Sequence, residues 1–222
     1  MIPYIDFHTH RNYEDNEVVF VKNLSQNEWQ NTSNTEGPNP ISVGLHPWFL
    51  TKENYNSDFE KLSQLVENQY IVMIGECGLD RLKGEDMVFQ AEAFAAQIQL
   101  AESCRKSVVI HCVKAYNELI VLKKKLNPQV PMIVHGFNQN EQILKELLKN
   151  GFYISIGAAI LRGGSNASKY IISIPLEKLF FETDDKSLPI KNVYEQAAKL
   201  LNVDLSILKE KIYTNFQNIL SF

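Results

Sequence analysis

Short apolar runs alternate along the whole chain with longer stretches in which apolar residues recur at helical spacing. The runs fall at 2–7, 18–21, 41–45, 71–75, 107–111, 132–135, 152–156 and 179–182, each of strand length. Between them, 58–68 carries Phe59, Leu62, Leu65 and Val66 on one helical face, and 86–103 carries Val88, Phe89, Ala93, Phe94, Ile98 and Ala101. Further helices are predicted over 117–126, 141–149, 167–174, 193–201 and 205–220. Strand-then-helix alternation implies a parallel sheet, because parallel neighbours need a crossover connection.

Eight strands suit an α/β fold of the (β/α)₈ TIM-barrel type, here a compact one, since 222 residues is near the short end for that fold. The shortfall has a place. No helix fits between His10 and Val18, and 25–40, rich in Asn, Gly, Ser and Pro, reads as an irregular loop. The expectation is a single hydrolase barrel domain over 1–222, its first helix lost or reduced to that loop. An open doubly wound sheet is the alternative, and where the chemically active residues fall separates the two.

They fall at strand ends. All five histidines lie at or just beyond the C-terminal ends of predicted strands: His8 and His10 in "DFHTH", His46 in "GLHP", His111 in "VVIHC" and His135 in "VHGF". Glu76 in "GECGLD" and Asp184 in "FFETD" hold equivalent places. In a barrel, that rim gathers catalytic groups from residues remote in sequence. Side chains at i and i+2 of a strand share a face, so His8 and His10 project together. One strand-end histidine is more often a hydrogen-bonded structural residue than a ligand; five on one rim with two carboxylates point to metal. His8, His10, Glu76, His111, His135 and Asp184 are too many for a closed four-coordinate zinc and suit two bridged divalent ions, with Glu76 the natural bridge. By ligand softness the set favours Zn, Mn, Fe or Ni over Mg.

Composition narrows the picture modestly. The net charge of -4 gives no basic footprint over the whole surface, though a local cationic cleft is compatible with it. Arg11, Arg81, Lys83, Lys114, Arg162 and Lys186 all follow predicted strands, and Arg162 precedes the Gly163–Gly164 pair, where backbone can approach closely. Singly each reads as a solvated charge; together they suit a phosphate-bearing substrate. Trp48 and Tyr13 either stack on bases or, for Trp48 with Phe49, cover a rim of the core. The glycine pair lacks the spacing of a phosphate loop or dinucleotide fingerprint, so no nucleotide cofactor is expected, and no Ser or Cys sits in a nucleophile setting. Three cysteines without regular spacing imply no disulfide framework. With no apolar run of about 18 residues and no leader pattern after Met1, a cytoplasmic protein without membrane partners is expected.

The quoted segments, with "IPLEKLFFETD", resemble the TatD-like metal-dependent hydrolases in order and approximate spacing over nearly the whole chain. The resemblance implies a (β/α)₈ barrel with a two-metal centre and, in several members, Mg- or Mn-dependent DNase activity. Carried over by position, His8, His10, Glu76 and Asp184 hold one ion, and Glu76, His111 and His135 hold the other. His46 matches the family's "G-x-HP" histidine, a substrate-phosphate contact, with Arg162, Lys114 and Arg81 as further substrate-binding candidates. Asp184 and Glu76 are the expected catalytic residues, Asp184 accepting or orienting the proton of the attacking water. This chain departs from the family at Val113 and Lys114, where Arg-Asp is common, at Asn138 and Gln139, in the shortened "DKSLPIKN" loop and in the reduced 11–40 region. The ligands are retained while the substrate-facing loops differ. The leading expectation is therefore a phosphodiesterase acting on DNA with two divalent ions (Mg, Mn or Zn); the alternative is hydrolysis of a non-nucleic-acid ester, lactone or amide such as an aminoacyl bond. A barrel kept only for binding a partner need not present all six ligands.

Overall fold

The computed structural model describes residues 2–12, 14–29 and 39–221. Tyr13 and residues 30–38 of the irregular loop lie outside the described residues. The strands are β1 (Tyr4–Thr9), β2 (Val18–Leu24), β3 (Ile41–Val43), β4 (Ile71–Asp80), β5 (Ser107–Val113), β6 (Met132–Val134), β7 (Tyr153–Ile156) and β8 (Leu179–Phe181). The helices are α1 (Tyr55–Leu65), α2 (Met87–Cys104), α3 (Tyr116–Leu126), α4 (Glu141–Lys149), α5 (Asn166–Tyr170), α6 (Ile190–Leu201) and α7 (Leu205–Leu220). The strands neighbour one another in chain order, β1 to β8. β8 then returns to β1: the Asp184 amide donates to the His8 carbonyl at 2.9 Å, and the His10 amide donates to the Asp184 carbonyl at 3.1 Å. This is the topology of a (β/α)₈ barrel.

Three differences from the sequence pattern have physical causes. β4 runs on to Asp80 and β5 to Val113. An apolar run stops at the first polar side chain, whereas a backbone ladder continues wherever its partner does. The segment 167–174 holds only the short α5 and then a 3₁₀ turn, Ile171–Ser173. Pro175 follows, and a residue before proline is pushed out of helical geometry; Ile174 sits at φ -92, ψ 120. Among the described residues no helix joins β1 to β2, and 26–29 form a short 3₁₀ turn after β2.

The chain divides into two compact units, residues 1–22 with 134–222, and residues 23–133. In the first, Phe7 stacks on Phe180 with ring centroids 4.6 Å apart, and α6 buries Tyr194 fully. A buried hydroxyl needs partners, and the Tyr194 hydroxyl donates to the Ile5 carbonyl (3.0 Å) and accepts from the Ile5 amide (3.1 Å). That contact fixes β1, which carries His8, against α6. In the second unit, Leu62, Met73, Ile74, Phe94, Ile98 and Val109 are buried. Two buried glutamines of α2 tie loops down: Gln97 accepts from the Leu45 amide (2.7 Å), one residue before His46, and Gln90 accepts from the Asp80 amide (2.8 Å).

Candidate metal centre

In the first unit the site is built where β8 meets β1. Thr183 donates through its amide to Asp6 Oδ1 (2.9 Å) and through its hydroxyl to Asp6 Oδ2 (2.6 Å). Asp6 lies two residues before His8 on β1, so this clamp on a fully buried carboxylate ties β1 to the end of β8 beside His8. Asp184, next in sequence, adopts a left-handed backbone at φ 54, a conformation that Asp tolerates better than most side chains. Its carboxylate lies 3.7 Å from His8 Nε2 and 3.5 Å from His10 Nε2. His8 is fully buried, and His135 packs on it with ring centroids 4.6 Å apart.

Glu182 supports this group from behind. It is fully buried; its Oε1 lies 3.3 Å from His135 Nδ1 and accepts from the Gly136 amide at 2.7 Å. Burial pushes its pKa up, but the charge and hydrogen bond of His135 outweigh that and hold it below the usual carboxylate range. Glu182 Oε2 has no hydrogen-bond partner among the described residues. With Nδ1 turned to a carboxylate, His135 presents Nε2 on its other side, the arrangement that orients a metal-binding histidine.

In the second unit the strand end of β4 does the same work. The β4–β5 register pairs Ile74 with Val108 but Cys77 with Ile110, so β4 carries one extra residue, a bulge containing Gly75 and Glu76. Bulges re-aim side chains, and Glu76 Oε1 comes within 2.7 Å of His111 Nδ1 and 3.0 Å of His46 Nε2. The close approach needs glycine at 78: its φ is 143, and a Cβ there would sit 2.1 Å from the His111 carbonyl oxygen. His46 Nδ1 accepts from the Trp48 amide at 3.1 Å. That bond places the imidazole proton on Nε2, so His46 is a hydrogen-bond donor toward Glu76.

Asp80 closes this group. Its Oδ2 lies 3.1 Å from His111 Nε2 and accepts from the Trp48 indole at 2.6 Å, while Oδ1 accepts from the Leu82 amide at 2.8 Å. Burial raises the Asp80 pKa, yet these three hydrogen bonds outweigh it and keep the carboxyl ionised below its usual range.

Two sets of donors result, each measured within its own unit. One nitrogen or oxygen from each of His8, His135 and Asp184 lies within 4.8 Å of the others, and the same holds for His46, Glu76 and His111. Nitrogen and oxygen ligands sit about 2.0–2.2 Å from a zinc-type ion, so donors sharing one ion are at most about 4.4 Å apart. A small side-chain adjustment reaches that, and imidazole with carboxylate is the donor chemistry of first-row divalent ions. The residues fit the metal.

The sequence-derived candidates are therefore distributed as follows. His8, His10, His135 and Asp184 gather in the first unit, where His135 adjoins His8. Arg162 and Lys186 line a cavity of about 560 Å³ with Asp184, Glu182 and Asn138. Glu76, His111 and His46 gather in the second. Arg81 forms an ion pair with Glu118 of α3 and donates to the Lys114 carbonyl, so its guanidinium is already engaged. Lys114 itself is exposed on a left-handed turn. Sequence reading missed Glu182 and Asp80. The signal available was position, since each follows a strand core within two residues or a few of a predicted ligand, but a carboxylate that orients a histidine has no spacing of its own.

No described helix is long and apolar enough to cross a membrane. The model of the family described as TatD related DNase matches residues 6–221. An uncharacterised metal-dependent hydrolase of Buchnera aphidicola is 29% identical over 77% of this chain and 66% of its own length. A putative deoxyribonuclease TATDN1 homologue of Encephalitozoon cuniculi is 30% identical over 69% of this chain and 54% of its own length. The chain thus spans less than two thirds of these two relatives. A protein of Edwardsiella piscicida named 3'-5' ssDNA/RNA exonuclease TatD is 29% identical over 80% of this chain and 76% of its own. Among solved structures, the TatD homologue YjjV of Escherichia coli superposes over all of both chains with a TM-score of 0.85 at 21% identity, a likeness of fold.

Proposed function

This chain belongs to the TatD-related DNase family, and from that premise we propose that it is a divalent-metal-dependent hydrolase that cleaves phosphodiester bonds of DNA. The observation that carries the reading is the pair of three-donor groups at strand ends, His8 with His135 and Asp184, and His46 with Glu76 and His111. We assign one divalent ion (Mg, Mn or Zn) to each group, with His10 joining the first. When bound, such ions lower the pKa of a water and offset charge that builds on a phosphoryl oxygen.

The chain's own residues then divide the remaining work. Asp184, partly exposed at the mouth of the cavity beside Arg162 and Lys186, accepts the proton of the attacking water. Arg162 and Lys186 hold the substrate phosphate there, Arg162 by paired N–H donors. His46, its Nδ1 already bonded to the Trp48 amide, faces the second ion through Nε2. Glu182 and Asp80 touch no reacting atom; they fix the rings of His135 and His111. The 222-residue chain serves as one hydrolase domain in this reading.

The test is hydrolysis of end-labelled single-stranded DNA by metal-stripped protein with Mg, Mn or Zn restored, beside Glu76→Ala. A metal-dependent ladder that vanishes in the variant is expected. Absence of cleavage by protein that still binds two ions would overturn the DNA substrate. Asp184→Asn is expected to reduce kcat far more than it raises KM; an equal loss in both would sink the proton-accepting role.

A further inference from the structure

Trp48 is large, apolar and 41% exposed, yet its ring is tied down by contacts on several sides. The indole N–H donates to Asp80 at 2.6 Å, and the backbone amide donates to His46 Nδ1. The ring meets His46 and His111 nearly perpendicularly, at centroid distances of 5.0 and 5.5 Å. Phe49, 55% exposed, also packs on His46. Covering the core does not require a pinned and exposed ring beside two site histidines. The remaining feature is Lys83: its ammonium stands over the indole, 3.7 Å from the ring centroid. Lys83 is exposed on the loop after β4, next to Gly84, whose φ is 92.

We propose that Trp48 is the platform on which a nucleobase of the substrate stacks, and that Lys83 covers it until the base arrives. The inference rests on the phosphodiesterase reading and adds a specificity-determining residue to it. An exposed cation–π contact is the weaker interaction, and base–aromatic stacking the stronger, so a base displaces the ammonium from the ring. The freed Lys83 then lies beside the stacked nucleotide, where its charge meets a backbone phosphate. Stacking reads the π-face that every base has, so the platform gives affinity with little sequence preference. The Asp80 hydrogen bond keeps the ring in position without an entropic cost at the moment of binding.

Two measurements test this, and they fail separately. The chain has two tryptophans, and Trp29 is buried, so exposed-tryptophan emission reports Trp48. Metal-free protein is titrated with dAMP and with 2-deoxyribose 5-phosphate, which lacks the base. The expected result is quenching by dAMP alone, abolished in Trp48→Phe because the fluorophore is gone. In steady-state cleavage of a single-stranded oligonucleotide, Trp48→Ala is expected to raise KM about tenfold with kcat changed less than threefold. Trp48→Phe keeps a ring but loses the indole N–H, so recovery of most of the KM in Phe over Ala separates stacking from the hydrogen bond to Asp80. Quenching by dAMP without any DNA cleavage would uphold the platform and sink the phosphodiesterase reading. Metal-dependent cleavage with no base-dependent quenching, or with KM unchanged in Trp48→Ala, would overturn the platform and leave that reading standing.

Discussion

Glu182 and Asp80 show how much of a candidate metal site lies behind its donors. Each is a buried carboxylate held below the usual range against its burial, Glu182 by the charge and hydrogen bond of His135 and Asp80 by its hydrogen bonds, and each faces one ring nitrogen of a site histidine. Removing such a partner typically costs about 10- to 100-fold in metal affinity. Glu182→Gln is therefore expected to weaken Mn binding by about that factor in isothermal titration calorimetry while circular dichroism stays unchanged. An unchanged affinity would mean that His135 holds its orientation without Glu182. The histidines were legible in the sequence because all five end strands, and the i, i+2 pair forces His8 and His10 onto one face. Asp80 and Glu182 were not, because what marks them is contact across strands and burial. The cysteines were legible only in part. Cys77 is fully buried and Cys112 nearly so, with its thiol pushed up to about 12 by burial, while Cys104 is partly open. A thiol reagent on native protein is expected to label Cys104 first, with Cys77 and Cys112 labelled only on unfolding. Mass spectrometry of the tryptic peptides reads the order.

At the scale of elements, β4 departs most from its sequence pattern and matters most to the second donor group. Read as a run of apolar residues it ends at Gly75; the ladder instead continues through a bulge to Asp80. The glycines that sequence reading treats as punctuation are what let β4 lie against β5 there. A Cβ at Gly78 would overlap the His111 carbonyl, and the backbone φ of 143 is one that side chains avoid. Gly78→Ala therefore combines strain with a clash and is expected to destabilise the protein by more than about 3 kcal/mol in urea unfolding. The Tyr194 hydroxyl gives the complementary case in the first unit. Phe at 194 preserves the packing of α6 but leaves the Ile5 amide and carbonyl without that side-chain partner. A cost of about 1–3 kcal/mol is expected, the desolvation penalty of a buried group left unpaired. The helices α4 and α7 have the bounds that periodicity assigns them, because amphipathic spacing alone decides a long surface helix. α5 closes at Tyr170 into a 3₁₀ turn, and Pro175 then holds Ile174 out of helical geometry, a local veto on continuing a pattern that otherwise looks helical.

At the scale of the whole molecule, strand order and strand-end chemistry constrain each other. The strands follow one another in chain order, β8 returns to β1, and the sequence places all five histidines at or just beyond strand ends. If the two donor groups each hold an ion, metal binding and folding are linked: an ion that binds the folded chain alone stabilises it by RT ln(1 + [L]/Kd), about 2.7 kcal/mol at a hundred times Kd. For a chain of this length, at about 2–4 °C per kcal/mol, that corresponds to a rise in Tm of about 5–11 °C for each ion. Metal-stripped protein titrated with Mn is expected to show that rise in differential scanning calorimetry, with two ions per chain by elemental analysis. Asp184→Ala and His111→Ala, which remove donors from different units, are each expected to lower the count toward one while the other group keeps its ion. A count of two that neither substitution changes would place the ions outside these groups. A count of one in the wild type, lost with Asp184 and indifferent to His111, would confine the metal to the first unit and leave His111, Glu76 and His46 as a hydrogen-bonding surface for the substrate.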